Sequence, residues 1–503
     1  MAFLQSLKSC ARRFDKTTAL LLGVLTTLGF APFGLWPISL LALAALFALL
    51  QGTTIRRSAL LGWLFAIGHF LSGIYWIYIS THIYGGAPAW LGVLLLLTLS
   101  AAYMAPWFAL AMGLATWLRL WQRAVGWLAL PALFLLAELA RGTLVFDGFS
   151  WLSLGDISLD TPLQRLAPII GVHGISAVLL VLAYALFKLL VGSRSQRVVA
   201  AVVLLSSATT FLLPGPEQWT QASGAPLKAA IIQGNVSQDL KWLPEMDLPT
   251  LLRYRGMTLE ARDADLIVWP EAPLTQTYNL LKDEYLDPLS EQLAQNGTTL
   301  LAGMLIEEPP GSMHYFNSVI GLGAVQGRYD KHHLVPFGEY FPVPTWLRPM
   351  LDVLGTPYSD LSSSAADRPP FVVKGQRLGV VICFEDVFAN EFRRSTDNAA
   401  LIVSVTNDAW FGRSIAADHH LAMARMRSLE TGRVTLRASN TGVSALIGPD
   451  GSLQARAGFF TQETLRVNAQ PRSGRTPYVR WGDGPLWFAG ALLVLLALFR
   501  RRV

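Results

Sequence analysis

The chain holds two cysteines, Cys10 and Cys383, and the second closes an apolar run, "GVVIC" at 379–383, with Glu385 and Asp386 just beyond it. A thiol in that position is a candidate nucleophile, but only its thiolate attacks, so it needs a base. Two other segments set a charged side chain after an apolar run: Glu271 ends "LIVWPE" and Lys331 stands in "GRYDKHHLVPFGE". A carboxylate can take the thiol proton. A lysine, with the backbone N–H after the cysteine, can stabilise the oxyanion formed when sulfur adds to a carbonyl. Glu339 and Glu385 are candidates for positioning the lysine or shielding the base. Taken singly, each residue also has a plainer reading: an inert core thiol, a helix cap at Glu271, a solvated loop charge at Lys331. His332, His333, His419 and His420 come in pairs without a further Cys or carboxylate at ligand spacing, so neither a metal nor another cofactor is expected.

These residues need a rigid frame, and the second half of the chain has the pattern of one. From 227 onward, short β-rich runs alternate with helical stretches: 228–236, 264–274, 298–306, 317–323, 378–386, 399–412 and 442–451, with helices expected at 245–262 and after Asp418. Apolar runs of this length suit strands buried on both faces, with helices between them. In such α/β domains reactive side chains gather at the carboxyl ends of strands. An α/β layered domain over residues 216–480 is the reading.

The rest is more apolar. The chain is 52% hydrophobic and 15% charged, against about 25% charged in a soluble domain. Long uncharged runs fill positions 1–215 and the last 20 or so. With roughly 20 apolar residues per span, seven transmembrane helices are expected near 17–34, 36–50, 61–80, 90–118, 125–141, 172–190 and 197–213, and an eighth near 485–499. Lys8, Arg12, Arg13, Lys16, Arg56, Arg57, Arg119, Arg123, Lys188, Arg194, Arg197 and Arg500–Arg502 all fall on one side of that arrangement, and the opposite short loops at 31–37 and 80–90 lack Lys and Arg. The positive-inside rule then puts both termini in the cytoplasm and residues 216–480 outside. The formal net charge of +6 reads as topology and not as a nucleic-acid surface. The first apolar stretch lacks a convincing small-residue cleavage site and reads as a helix. Cys10 and Cys383 lie across the membrane from each other, which excludes a disulfide between them. Glu138 and Arg141, near one end of the fifth span, suggest a polar path through lipid, but outward snorkelling and a mutual ion pair are the preferred readings.

In their order and gaps, "WPE", "DKHHLVPFGE" and "ICFE" resemble the nitrilase superfamily and its Glu-Lys-Cys triad, which would fall on Glu271, Lys331 and Cys383. The resemblance implies an αββα sandwich for residues 216–480. Seven spans before it, the eighth span with a basic tail at 481–503, and the segments "GNVSQDLKW" (234–242) and "TNDAWFG" (406–412) make the whole chain similar to the bacterial apolipoprotein N-acyltransferase family. That likeness implies a monomeric inner-membrane enzyme with a periplasmic catalytic domain. Cys383 would take an acyl chain from a phospholipid as a thioester and pass it to the α-amine of a lipoprotein's N-terminal diacylglyceryl-cysteine. Trp242, Asn407, Trp410, Phe411 and Trp346 are candidates for substrate contact; core packing is the alternative for Trp410 and Phe411. The apolar segment 340–361, which holds Trp346, reads either as a lid dipping into the outer leaflet or as a satellite core. Two other functions stay open: a membrane-tethered amidase acting on a small periplasmic amide, and a transporter with a regulatory outer domain.

Overall fold

The computed structural model describes residues 14–342, 360–364 and 370–499. They form two compact units, one of residues up to 78, 89–214 and from 481 on, the other of residues 79–88 and 215–480. Cys10 and the segment 343–359, with Trp346, lie outside the described residues.

The first unit is helical: α1 (Asp15–Thr27), α2 (Trp36–Leu50), α3 (Ile55–Gly73), α4 (Ala89–Trp117), α5 (Gly126–Arg141), α6 (Ala167–Val191), α7 (Arg194–Ser207) and a C-terminal helix, Gly484–Phe499. Among the described residues, three helices are long and apolar enough to cross a membrane: Ala89–Trp117, Pro162–Val191 and Arg194–Leu212. Joining Ile55–Gly73 to Trp76–Tyr84 makes a fourth. The C-terminal helix is described over 16 residues, up to the last described residue. Helices thus stand where eight spans are expected, and among the described residues length supports three or four of them.

One expectation in this unit is corrected. Glu138 and Arg141 point neither outward nor at each other; they are 2% and 0% exposed. Glu138 accepts from the Leu154 N–H at 2.9 Å and the Ser176 hydroxyl at 2.5 Å, and Arg141 donates to the carbonyls of Phe149 and Trp151. Backbone groups and a hydroxyl supply hydrogen bonds that lipid cannot, so both charges turn inward.

The second unit holds two six-stranded sheets. The first comprises β1 (Leu227–Gln233), β2 (Leu266–Val268), β3 (Thr299–Glu307), β4 (Tyr315–Gly323), β5 (Gly327–Asp330) and β12 (Glu463–Ala469), in spatial order β12-β1-β2-β3-β4-β5. The second is formed by β6 (Phe371–Val373), β7 (Gln376–Ile382), β8 (Leu401–Thr406), β9 (Thr435–Ser439), β10 (Ala445–Ile447) and β11 (Leu453–Arg456), in order β11-β10-β9-β8-β7-β6. In both, the three inner strands run parallel and the outer ones antiparallel. Strand side chains alternate between faces. Ala229 and Ile231 of β1, Val268 of β2 and Leu301 of β3 therefore meet Val380 and Ile382 of β7, Val403 and Val405 of β8 and Leu436 of β9 in one core between the sheets. Ala230, Ile232, Ile267 and Leu300 face the other way, against Tyr254 and Met257 of α8 (Pro244–Glu260) and Leu289 and Leu293 of α9 (Asp287–Gln295). On the outer face of the second sheet, Phe392 of α10 (Ala389–Ser395) packs on Val381 and Ile402, and Leu421 of α11 (Ala416–Thr431) packs on Ala445 and Ile447. The result is the αββα order of layers.

A glycine sets the end of this frame nearest to Glu271. A Cβ on Gly303, in β3, would stand 2.3 Å from the Pro270 carbonyl oxygen and 2.8 Å from both Ala272 N and Glu271 Cα. Gly303→Ala is expected to lower unfolding stability by about 1–3 kcal/mol through that overlap. Gly256→Ala, within α8 and with nothing inside 4 Å of the new Cβ, is expected to raise it by up to about 1 kcal/mol. Thermal melts of the two variants beside the parent check both signs.

Candidate active site

Cys383 follows β7, buried along its apolar stretch, and opens a 3₁₀ turn, Cys383–Val387. Its φ is +51°, a left-handed conformation uncommon for a residue with a side chain. Glu385, in that turn, is 3% exposed. Its carboxylate accepts from the Ile382 N–H at 2.7 Å, the His332 N–H at 2.8 Å and the Tyr329 hydroxyl at 2.9 Å. It clamps the residue before the cysteine to the residue after Lys331. Burial raises its pKa, while these donors and Lys331 pull it down.

Lys331 follows β5, its N–H donating to the Asn317 carbonyl of β4 at 2.8 Å. Its ammonium is 1% exposed and donates to Glu339 at 2.8 Å and Glu271 at 3.3 Å. Burial works against that charge, but Glu339, Glu271 and Cys383 outweigh it and hold the pKa above that of an ordinary lysine. Lys331 is a cation throughout the physiological range. Glu339 also accepts from the Val335 N–H at 2.8 Å, which closes the loop that carries it.

Glu271 follows β2 and Pro270 and is 8% exposed. Besides Lys331 it accepts from the Asn317 side-chain amide at 2.7 Å and the Asn407 N–H at 2.9 Å. Glu271, Lys331 and Glu339 are thus one hydrogen-bonded cluster, and its field reaches the thiol. Burial, then Glu271, push the Cys383 pKa up; Lys331 and a hydrogen bond from Thr406 pull it down; the balance lies well above an ordinary thiol. The resting sulfur is protonated, so attack needs the proton removed as the bond to carbon forms.

The other sequence candidates lie as follows. Asn407 is 5% exposed and engaged within the protein, its side chain with Gln238 at 3.3 Å and Asn440 at 3.4 Å. Trp410 and Phe411 lie in the turn Asp408–Phe411, half-buried; the Trp410 carbonyl accepts from Ser80 at 2.9 Å, and the Phe411 ring stands 6.3 Å from the His420 ring. Trp242 is 53% exposed, with the Lys241 ammonium 5.7 Å from its ring centre.

Sequence reasoning missed three groups in or around this site. Asn317 donates to both Glu271 and Glu339; a polar residue inside the apolar run "NSVIGLG" was its one signal. Lys241 is 3% exposed and donates to the carbonyl of Ala272, whose φ is +38°; burial lowers its pKa to about 8 against the pull of Glu271. Behind the cysteine, Asp386, Asp408, His420 and Arg437 are all buried.

An αββα sandwich with a cysteine on the turn after a parallel inner strand is the frame of a carbon–nitrogen hydrolase, and residues 228–478 match the family model "Carbon-nitrogen hydrolase". Residues 22–186 match the model "Apolipoprotein N-acyltransferase N-terminal domain". Proteins named apolipoprotein N-acyltransferase are similar over nearly the full length. That of Methylococcus capsulatus is 39% identical over 95% of this chain and 95% of its own, that of Ralstonia nicotianae 39% over 97% and 94%, and that of Nitrosomonas europaea 40% over 96% and 97%. The chain belongs to the apolipoprotein N-acyltransferase family.

The field at the sulfur has a measurable consequence. At neutral pH Cys383 is expected to react with iodoacetamide more slowly than free cysteine does. Lys331→Met, which removes the cation that lowers the thiol pKa, should slow it further. Alkylation rates of the two proteins check the order.

Proposed function

We infer that this protein is a membrane-bound acyltransferase of lipoprotein biosynthesis, with Cys383 as nucleophile, Glu271 as general base and acid, and Lys331 as oxyanion stabiliser. The observation that carries the assignment of roles is the buried Glu271–Lys331–Glu339 cluster whose charges act on a thiol set on a left-handed turn. Glu339 balances Lys331, and Glu385 ties the lysine loop to the cysteine turn.

In the first half-reaction Cys383 adds to an ester carbonyl of a phospholipid while Glu271 takes the thiol proton. The tetrahedral oxyanion is met by Lys331 and the Phe384 N–H. Collapse expels the glycerol oxygen, Glu271 protonates it, and the lysophospholipid leaves a thioester behind. In the second half-reaction the α-amine of the N-terminal diacylglyceryl-cysteine of a lipoprotein attacks that thioester, Glu271 accepts the amine proton, and Cys383 departs with it. A thiolate leaves more readily than an alkoxide, so the thioester lets an amine compete for the acyl group. Asn407 fits a positioning role through its N–H on Glu271, while Trp242, Trp410, Phe411 and Trp346 are the proposed substrate contacts.

The domain assignment is membrane helices at 1–215 and 481–503 and a catalytic domain at 216–480. Eight spans in the inner membrane, both termini cytoplasmic, a periplasmic catalytic domain and a monomeric enzyme complete the reading; the distribution of Lys and Arg supports the orientation.

Purified protein incubated with phospholipid should gain the mass of a fatty acyl group on Cys383. Cys383→Ala should abolish the adduct and transfer alike, since residues acting as one unit fail together. An unmodified Cys383 would remove it from the nucleophile's role. For orientation, a cysteine replacing the exposed Gln454 should react with a membrane-impermeant thiol reagent in spheroplasts, and one replacing Ser193, also exposed, should not.

A further inference from the structure

Beneath Cys383 lie four charged side chains almost without access to water: Asp386, Asp408, His420 and Arg437, none more than 3% exposed. His420 Nδ1 stands 2.7 Å from Asp408 Oδ1, and His420 Nε2 stands 2.7 Å from Asp386 Oδ1 and 3.3 Å from the Cys383 carbonyl oxygen. Arg437 bonds the second oxygens of the same carboxylates, at 2.7 Å for Asp386 and 3.3 Å for Asp408. A neutral imidazole carries one N–H, so one of its nitrogens would turn a lone pair toward a carboxylate. With both nitrogens protonated, two anions face two cations and the set is neutral, which is the state a protein interior tolerates.

The cluster bears on the cysteine at two points. The carbonyl held by His420 belongs to the peptide whose N–H is that of Phe384. In a planar trans peptide C=O and N–H point in opposite directions. Anchoring the oxygen therefore turns the Phe384 N–H away from His420, and it holds Cys383 at a φ that an L-residue keeps only when its surroundings demand it. Asp408 also accepts from the Thr406 hydroxyl at 3.2 Å, the hydroxyl that bears on the Cys383 thiol.

We propose that the His420 imidazolium is a positioning residue of acyl transfer, which grips the Cys383 carbonyl and so fixes the left-handed turn and aims the Phe384 N–H at the oxyanion. The proposal rests on the reading of Cys383 as nucleophile. The groups facing the ring are Asp386 on the turn after β7, Asp408 and the Phe411 ring on the turn after β8, and Arg437 on β9. Burial and Arg437 disfavour the charged ring, the two carboxylates favour it, and its pKa rises to about 9. Because the folded pKa lies above the ordinary value of 6.5, the ring carries both protons below that value and loses one as pH rises through about 9, which leaves a lone pair facing Asp386 or Asp408 and breaks up the neutral cluster that holds the turn.

The test uses the full-length protein reconstituted with phospholipid, with His420→Gln as the variant. Acyl loading of Cys383 should fall about 100-fold, as for loss of an oxyanion donor, with the phospholipid KM unchanged. Alkylation of Cys383 by iodoacetamide, which forms no oxyanion, should stay near the parent rate. Loading at the parent rate, or equal losses of loading and alkylation, would overturn the proposal. A second measurement needs no His420 variant: loading by the parent protein should decline with a midpoint near pH 9, and Asp408→Asn should move that midpoint down. A flat alkaline profile, or a midpoint that Asp408→Asn leaves in place, would also overturn it. If the parent Cys383 takes no acyl group at neutral pH, the nucleophile assignment falls, and this proposal with it.

Discussion

A lysine ammonium with 1% of its surface exposed is the constraint around which the catalytic unit is arranged. Removed from water, such a charge persists only if carboxylates are brought to it and their remaining lone pairs are filled. Lys331 has two. Glu339 reaches it from its own loop, and Glu271 comes from beyond the end of β2, the middle of the first sheet's three parallel strands. The carboxylates in turn need donors, and Asn317, Val335 and the Asn407 backbone supply them. Each of those donors belongs to a different strand end or loop. The lysine thus constrains where β2, β5 and β8 finish and where β4 begins.

The second sheet solves the same problem one layer lower. Arg437 points from the middle of β9 into a space with no water, and Asp386, Asp408 and His420 close around it. The two charge clusters flank Cys383, and they act on different atoms of it. Glu271 and Lys331 act on the sulfur; His420 acts on the carbonyl. The proton affinity of the sulfur and the direction of the turn that carries it are thereby set by separate groups.

The reactive residues were legible because each one breaks a pattern. Glu271, Lys331 and Cys383 are polar or reactive groups at the ends of apolar runs, and an α/β layer order collects such ends. Of the strands in the two six-stranded sheets, β5, β6, β9, β11 and β12 escaped, each because it is short, lies at a sheet edge, or carries charge where apolar residues are expected. "TLRAS" of β9 looks like a loop until Arg437 is seen to be neutralised in place. The pair His419–His420 offered no reason in sequence to separate the member that touches the cysteine turn from its neighbour.

What the sequence by itself determined is the alternation of apolar runs and turns, the reactive side chains that end those runs, the division into an apolar helical part and an α/β part, and the distribution of basic residues from which an orientation is argued. All of these are local, since hydrophobic period and charge placement depend on near neighbours along the chain. Only the tertiary structure decided which carboxylate meets which cation. Glu138 and Arg141, close enough in sequence to pair, instead found Leu154, Ser176, Phe149 and Trp151. Asp386, 51 residues from Arg437, pairs with it. Inside a protein a charge is bound to whatever neutralises it at the lowest cost of desolvation, and the fold, not the distance along the chain, sets which groups those are.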